Sequence, residues 1–281
     1  MRYKFPIKTF AKKSFGQNFL VDENYISRII SALNLQKGET VVEIGAGRGA
    51  LTEGLIASGA NVVAVELERD MIAVLKEKFS GAENFTLIES DALKVDYAEI
   101  SNSIKQNPKS QIPNPKSKLV ANLPYNISTA ILQKLIEQRE VFSEMILMFQ
   151  FEVVERITAQ VGNSERGFLS VLVQNYLETE MLFDVPPSAF RPAPKVTSAI
   201  ARLTPKTENP IENDKLFRKI ISAAFLQKRK TILNNLKNLK LESHPEIDWL
   251  KTLETAEIVS NRRAETLTLE EWRKLCKLLE K

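Results

Sequence analysis

Between Thr40 and Gln150 the chain alternates short, strongly apolar runs with stretches whose apolar residues recur at helical spacing. Thr40-Val41-Val42-Glu43-Ile44, Asn61-Val62-Val63-Ala64-Val65, Phe85-Thr86-Leu87-Ile88 and Lys118-Leu119-Val120-Ala121 are rich in β-branched residues and read as buried strands. Helices are expected near 50–57, 69–79 and 127–138, and Ser143–Gln150 reads as another buried strand. Ahead of this block, Asp22 can cap a helix over Glu23–Leu33 whose Ile26, Ile29, Ile30 and Leu33 share one face. The alternation predicts βαβ units around a parallel sheet. After it, Glu152–Ala159 reads as helix, and Gly167–Phe183 and Lys195–Leu203 as strands joined by a proline-rich segment, 186–194. Past Thr204-Pro205 the strand pattern ends and short amphipathic helices take over. The expected organisation is an α/β domain over 1–205 and a smaller helical domain over 206–281.

One segment breaks this order. Asn107-Pro108-Lys109-Ser110 recurs as Asn114-Pro115-Lys116-Ser117 without an apolar period, so 101–118 reads as a surface loop inserted before the Asn122 strand.

Candidate chemistry gathers at the ends of the expected strands, where open α/β sheets bind ligands. Gly45-Ala46-Gly47-Arg48-Gly49 follows the first strand, and glycine permits both a tight turn and close approach of a ligand to the main chain. A dinucleotide loop would place its third glycine five residues after the first; here the spacing is G-x-G-x-G. Glu43 just ahead of it repels phosphate but suits a cationic ligand such as S-adenosylmethionine. Glu66 closes the next strand and can accept from both ribose hydroxyls, and Asp91, with Ala92 beside it, is placed for an adenine amino group. The fourth strand runs into Asn122-Leu123-Pro124-Tyr125. Pro124 fixes its own φ and biases Leu123 away from helix, so the carbonyls there are aimed. The Asn122 carboxamide oxygen can accept from an exocyclic amino group, and the Tyr125 ring can stack on the base that carries it. The segment reads as a site for chemistry on an amino nitrogen of a nucleobase.

Composition narrows the alternatives. In 281 residues, 43% hydrophobic and 26% charged content is that of a globular protein, and no stretch approaches the length of a membrane span. One cysteine, Cys276, rules out an internal disulfide and fits a reducing cytoplasm. One histidine, His244, leaves too few ligands for the usual zinc sites and lies in a polar stretch before Pro245. Net charge is +4, unevenly spread: Lys215 to Lys240 contains eight Lys or Arg and no acid. The first thirteen residues hold Arg2, Lys4, Lys8, Lys12 and Lys13, again without an acid. Clustered positive charge is the footprint of a nucleic-acid partner.

Taken together, Ser14-Phe15-Gly16-Gln17-Asn18-Phe19-Leu20, Glu43 to Gly49, Glu66, Asp91-Ala92, Asn122 to Tyr125, Phe190 to Val196 and Ala224 to Thr231 resemble the KsgA-type adenine-N6 dimethyltransferases of small-subunit ribosomal RNA. The resemblance spans nearly the whole chain. It implies a Rossmann-like class I methyltransferase sheet with a smaller C-terminal helical domain, and S-adenosylmethionine as cofactor. It also implies that two adjacent adenosines near the 3′ end of 16S rRNA, in a pre-assembled 30S particle, are the target. Gln17, Asn18 and Leu20 should then border the cofactor, Gly45 and Gly47 its methionine part, Glu66 the ribose, and Asp91 and Ala92 the adenine. Asn122 should touch both cofactor and target, with Leu123 and Pro124 aiming carbonyls, while Tyr125 and Phe190 sandwich the flipped adenine. A cytoplasmic monomer without metal or membrane contact is expected. Phe151 departs from the pattern, standing where a polar or basic residue is expected after Gln150. Two rivals share parts of these motifs, an Erm-type enzyme acting on large-subunit rRNA and a non-catalytic RNA-binding assembly factor. Leu123 and Gln227 to Thr231 favour the small-subunit enzyme over the first, and the intact Asn122/Tyr125 pair argues against the second.

Overall fold

The computed structural model describes residues 18–100, 116–208 and 211–280. Seven strands form one sheet in the order β4 (Phe85–Glu89), β3 (Asn61–Glu66), β2 (Thr40–Ile44), β5 (Ser117–Asn122), β6 (Phe142–Gln150), β9 (Ser198–Pro205), β7 (Leu177–Val185). The pairs from β4 through β6 are parallel, and β6 to β9 is antiparallel. The strand order reverses between β2 and β5, opening a crevice at their carboxyl ends. A separate two-stranded ribbon pairs β1 (Phe19–Leu20) with β8 (Phe190–Arg191).

The helix Glu23–Leu33 begins where its cap predicts: Asp22 accepts from the Asn24 N–H at 2.9 Å, and Ile29 and Leu33 face the core. It packs closely on the helix Ala50–Ala57, and a Cβ on Gly54 would lie 2.1 Å from Ile30 Cδ1. The helices Arg69–Lys78 and Ser128–Glu137 complete the βαβ pattern. β5 starts at Ser117, inside the segment expected to be loop. Lys118 Nζ anchors it by donating to the Leu33 carbonyl at 2.8 Å and by facing Glu39 and Glu144. The remainder of the duplicated segment, 107–115, lies outside the described residues.

The chain divides into two compact units. One comprises positions up to Phe151 together with Glu180–Pro205; the other comprises Glu152–Thr179 and the chain from Lys206. The boundary expected at 205 coincides with one crossing, whereas 152–179, expected in the first domain, groups with the helices. The strand expected over Gly167–Phe183 is a helix, Phe168–Tyr176, followed by β7. Its residues are buried almost all round, from Leu169 through Val173 and again at Asn175 and Tyr176, so no amphipathic stripe marks the helical period. Ser170 fixes its start, accepting from the Gly167 N–H at 2.9 Å while donating to the Arg156 carbonyl.

The second unit also contains helices Asp214–Ala224, Ile232–Leu236, Trp249–Thr255 and Leu269–Leu279 around buried Phe217, Ile221, Trp272 and Leu275. Asn235 spans the loop after the first of these, donating to the carbonyls of Ala224 (2.7 Å) and Gln227 (3.1 Å). The loop so held presents Lys228, Arg229 and Lys230 to solvent.

Candidate active site

A cleft of about 900 Å³ opens over the carboxyl ends of β2, β3, β4 and β5. It lies within the span of about 300–1,000 Å³ usual for small-molecule sites. Its floor is the glycine loop. Gly45, Gly47 and Gly49 have φ of 71°, 54° and 75°, the left-handed region that glycine occupies without strain. Gly49 also has no room for a side chain, since a Cβ there would lie 2.6 Å from the Phe79 ring. The Phe19 ring covers Gly47 and carries the Arg48 guanidinium 4.4 Å from its centroid.

Carboxylates surround this loop. Glu43 lines the cleft but is 2% exposed, with Oε2 accepting the Thr52 hydroxyl at 2.6 Å. Burial pushes its pKa up from 4.5 to about 7, with Glu66 adding repulsion and Thr52 and Lys78 opposing. Lys78 is engaged with Glu53 at 2.7 Å, so among the described residues no cation forms an ion pair with Glu43. Glu66, at the end of β3, accepts the Gly47 N–H at 2.8 Å on one oxygen and the Leu67 and Glu68 N–H groups at 2.9 Å on the other. A carboxylate has about four acceptor positions. Glu66 therefore holds the loop as well as facing the cleft, and accepting two ribose hydroxyls requires releasing one of these main-chain donors. The sequence carried no sign of that second duty. Asp91 Oδ1 accepts the Leu93 N–H at 3.0 Å, leaving Oδ2 for a ligand, and Ala92 lines the same wall.

The opposite wall is the turn after β5. Asn122 donates its carboxamide N–H to the Asn18 carbonyl at 3.2 Å, which leaves its Oδ1 as an acceptor. Leu123 is buried, while Pro124 and Tyr125 line the cleft. The Tyr125 hydroxyl lies 2.6 Å from Ser198 Oγ, and burial raises its pKa against that hydrogen bond, so the phenol is neutral. Asn18 and Leu20 border the cleft, Leu20 through the β1–β8 ribbon. Gln17 lies outside the described residues.

Phe190 departs from expectation. It is fully buried, pairs with Leu20 across the ribbon, and packs in the core with Ile29, Val185 and Ala189. In this arrangement it does not line the cleft, but shares a core cluster with Leu20, which does. An aromatic flanked by prolines gives no sequence signal separating a buried prop from an exposed stacking ring. Sequence reasoning missed Thr52, Lys78 and Ser198 and gave Phe19 no role of its own within its motif; none of the four belongs to a glycine-rich or proline-bounded turn.

The residues present fit a cationic adenosine ligand. Glu43, hydrogen-bonded to Thr52 but without an ion-paired cation among the described residues, lies behind the glycine loop, and with two further carboxylates facing the same space it disfavours phosphate and favours positive charge.

The family model for ribosomal RNA adenine dimethylase matches residues 9–281. The chain is 43% identical over 261 residues to ribosomal RNA small subunit methyltransferase A of Pseudomonas aeruginosa, covering 92% of this chain and 91% of that protein. It is 42% identical over 272 residues to the protein of the same name in Lactococcus lactis, covering 95% and 90%. Among solved structures, a dimethyladenosine transferase from Plasmodium falciparum superposes with a TM-score of 0.76 at 26% identity, covering 93% of this chain and 97% of that one. The 23S rRNA methyltransferase ErmE superposes at 0.67 with 24% identity, covering 94% and 100%, and so shares the fold. With a family model matched over nearly its full length and relatives above 40% identity, the chain belongs to the ribosomal RNA adenine dimethylase family.

Proposed function

We propose that the cleft holds S-adenosylmethionine and that the Asn122–Tyr125 turn presents adenine N6 of small-subunit rRNA to it, giving N6,N6-dimethyladenosine at two adjacent positions near the 3′ end. The observation that carries this reading is the tether between Asn122 and the Asn18 carbonyl, which fixes the carboxamide with its oxygen free to accept an amino group.

When bound, S-adenosylmethionine supplies a methyl group activated by its sulfonium. Asn18, Leu20, Gly45 and Gly47 border the ligand, Glu43 balances its positive charge, and Glu66 and Asp91 with Ala92 hold the ribose and adenine. The N6 lone pair of the target is delocalised into its ring, so the base needs help to become pyramidal. Hydrogen bonds to Asn122 Oδ1 and to a main-chain carbonyl of the Leu123-Pro124 turn favour the pyramidal nitrogen of the transition state. Tyr125, held neutral, offers a ring face for the base and takes no proton. Methylation makes the nitrogen acidic, so its proton leaves without a strong base, in keeping with the absence of His from this cleft. Orientation supplies most of the acceleration.

The basic loop 228–230 suits phosphates of a pre-assembled 30S particle, with the enzyme acting as a cytoplasmic monomer without a metal. The test is incubation with labelled S-adenosylmethionine and under-methylated 30S or 50S particles, followed by primer-extension mapping. Label at paired adenosines in the 30S particle supports the proposal. Label in the 50S particle would favour an Erm-type target, and none in either would favour a non-catalytic factor.

A further inference from the structure

Tyr125 is held at both ends. At its main chain, the preceding proline fixes the turn and the Tyr125 carbonyl accepts the Ser128 hydroxyl at 3.1 Å. At the far end of the ring, its hydroxyl lies 2.6 Å from Ser198 Oγ. Ser198 is itself fully buried at the start of β9, opposite Gln150 of β6. Next to it, the Thr197 carbonyl accepts the Phe151 N–H at 2.9 Å, so the strand that carries Ser198 is fixed in register. A buried hydroxyl is costly to leave unpaired, and here the partner is the one aromatic of the Asn122–Tyr125 turn.

We propose that Ser198 is a positioning residue for methyl transfer, locking the Tyr125 ring in the orientation on which the target base stacks. The proposal rests on the reading that Tyr125 stacks on that base. A tyrosine ring pivots about two side-chain torsions, and tethering its outer end removes that freedom before the base arrives. The antiparallel strand β9 thereby contributes to a pocket that it does not line. The role that the Phe190-Arg191-Pro192 segment and its continuation play is then divided: Phe190 props Leu20 on the cofactor side, and Ser198 anchors Tyr125 on the base side.

The test is a double-mutant cycle of Ser198→Ala and Tyr125→Phe, assayed with labelled S-adenosylmethionine and under-methylated 30S particles. Each single variant is expected to lower kcat/KM roughly five- to tenfold, the worth of one side chain's ordering. The double variant is expected to fall no further than the worse single one, because both remove the same hydrogen bond. Ser198→Thr retains the hydroxyl and suits a strand, so it should recover most of the loss, and cofactor affinity by calorimetry should not change in any of these four variants. A purely structural role would lower the melting temperature of Ser198→Ala without this pattern in kcat/KM. Wild-type kcat/KM in folded Ser198→Ala, or losses that multiply in the double variant, would overturn the proposal. Should Ser198→Ala fail to fold, Tyr125→Phe alone removes the bond, and wild-type kcat/KM there is equally fatal. Tyr125→Ala separates the two layers. If it transfers methyl groups normally, the stacking reading itself fails; if it is inactive while Tyr125→Phe and Ser198→Ala are normal, only the positioning role fails.

Discussion

Replacing Glu43 by glutamine should stabilise the ligand-free protein while weakening its grip on a cationic ligand. In the folded chain the Glu43 pKa rises from 4.5 to about 7, chiefly because burial penalises the charge. The sign follows from linkage. Between these values the folded state binds a proton that the unfolded chain has lost, so stability falls as pH rises from 4.5 to 7 and is level above that. A rise from 4.5 to about 7, at ~1.4 kcal/mol for each tenfold change in proton affinity, corresponds to a penalty of order 3 kcal/mol at pH 8. Glutamine removes the titration and can still pair with the Thr52 hydroxyl, at a cost of about 1 kcal/mol for a poorer hydrogen bond. A net gain of about 2 kcal/mol is expected at pH 8, shrinking towards zero by pH 5. Urea denaturation of both proteins without ligand, at pH 5 and pH 8, measures it. A gain that is the same at both pH values, or a loss that deepens at pH 8, would refute the assignment of a strained carboxylate beneath the glycine loop.

Glu66→Ala should weaken S-adenosylmethionine by about 1–3 kcal/mol, the range for hydrogen bonds to a charged group, and should loosen the glycine loop through the lost Gly47 contact; unchanged affinity by calorimetry in the folded variant would rule it out. Gly49→Ala should lower the unfolding midpoint, since φ of 75° and a 2.6 Å approach to Phe79 leave no place for a methyl group; an unchanged midpoint contradicts the packing. Reversing Lys228, Arg229 and Lys230 to Glu should weaken 30S binding steeply at low salt, with a salt slope smaller by about 1 per lost phosphate contact, and leave cofactor affinity intact. Wild-type binding across the titration would mean that this loop is merely solvated.

The elements legible in the sequence were those with a local mark. Asp22 gives the first helix its start, and the β-branched runs around Val41, Val63 and Val120 place three central strands. The helix Phe168–Tyr176 was not legible, because a helix buried on every side has the same apolar run as a buried strand. In the site, the glycine loop and the turn at Pro124 announce themselves through backbone demands. Partners drawn from distant strands and helices do not. Ser198 stands 73 residues from Tyr125, and no periodicity links the two. Glu66 was visible as a strand-end carboxylate, but its hold on Gly47 depends on how the loop folds back. Phe190 shows the converse, a residue conspicuous in sequence whose ring the packing turns inward.

Asn122, oriented by its hydrogen bond to the Asn18 carbonyl, is proposed to engage the target amino group. Single-turnover transfer of labelled methyl groups to under-methylated 30S particles, comparing the wild-type protein with Asn122→Ala at saturating cofactor, tests it most directly. The expected result is a folded variant that has lost most of its transfer rate. Near-normal turnover in that variant would contradict it.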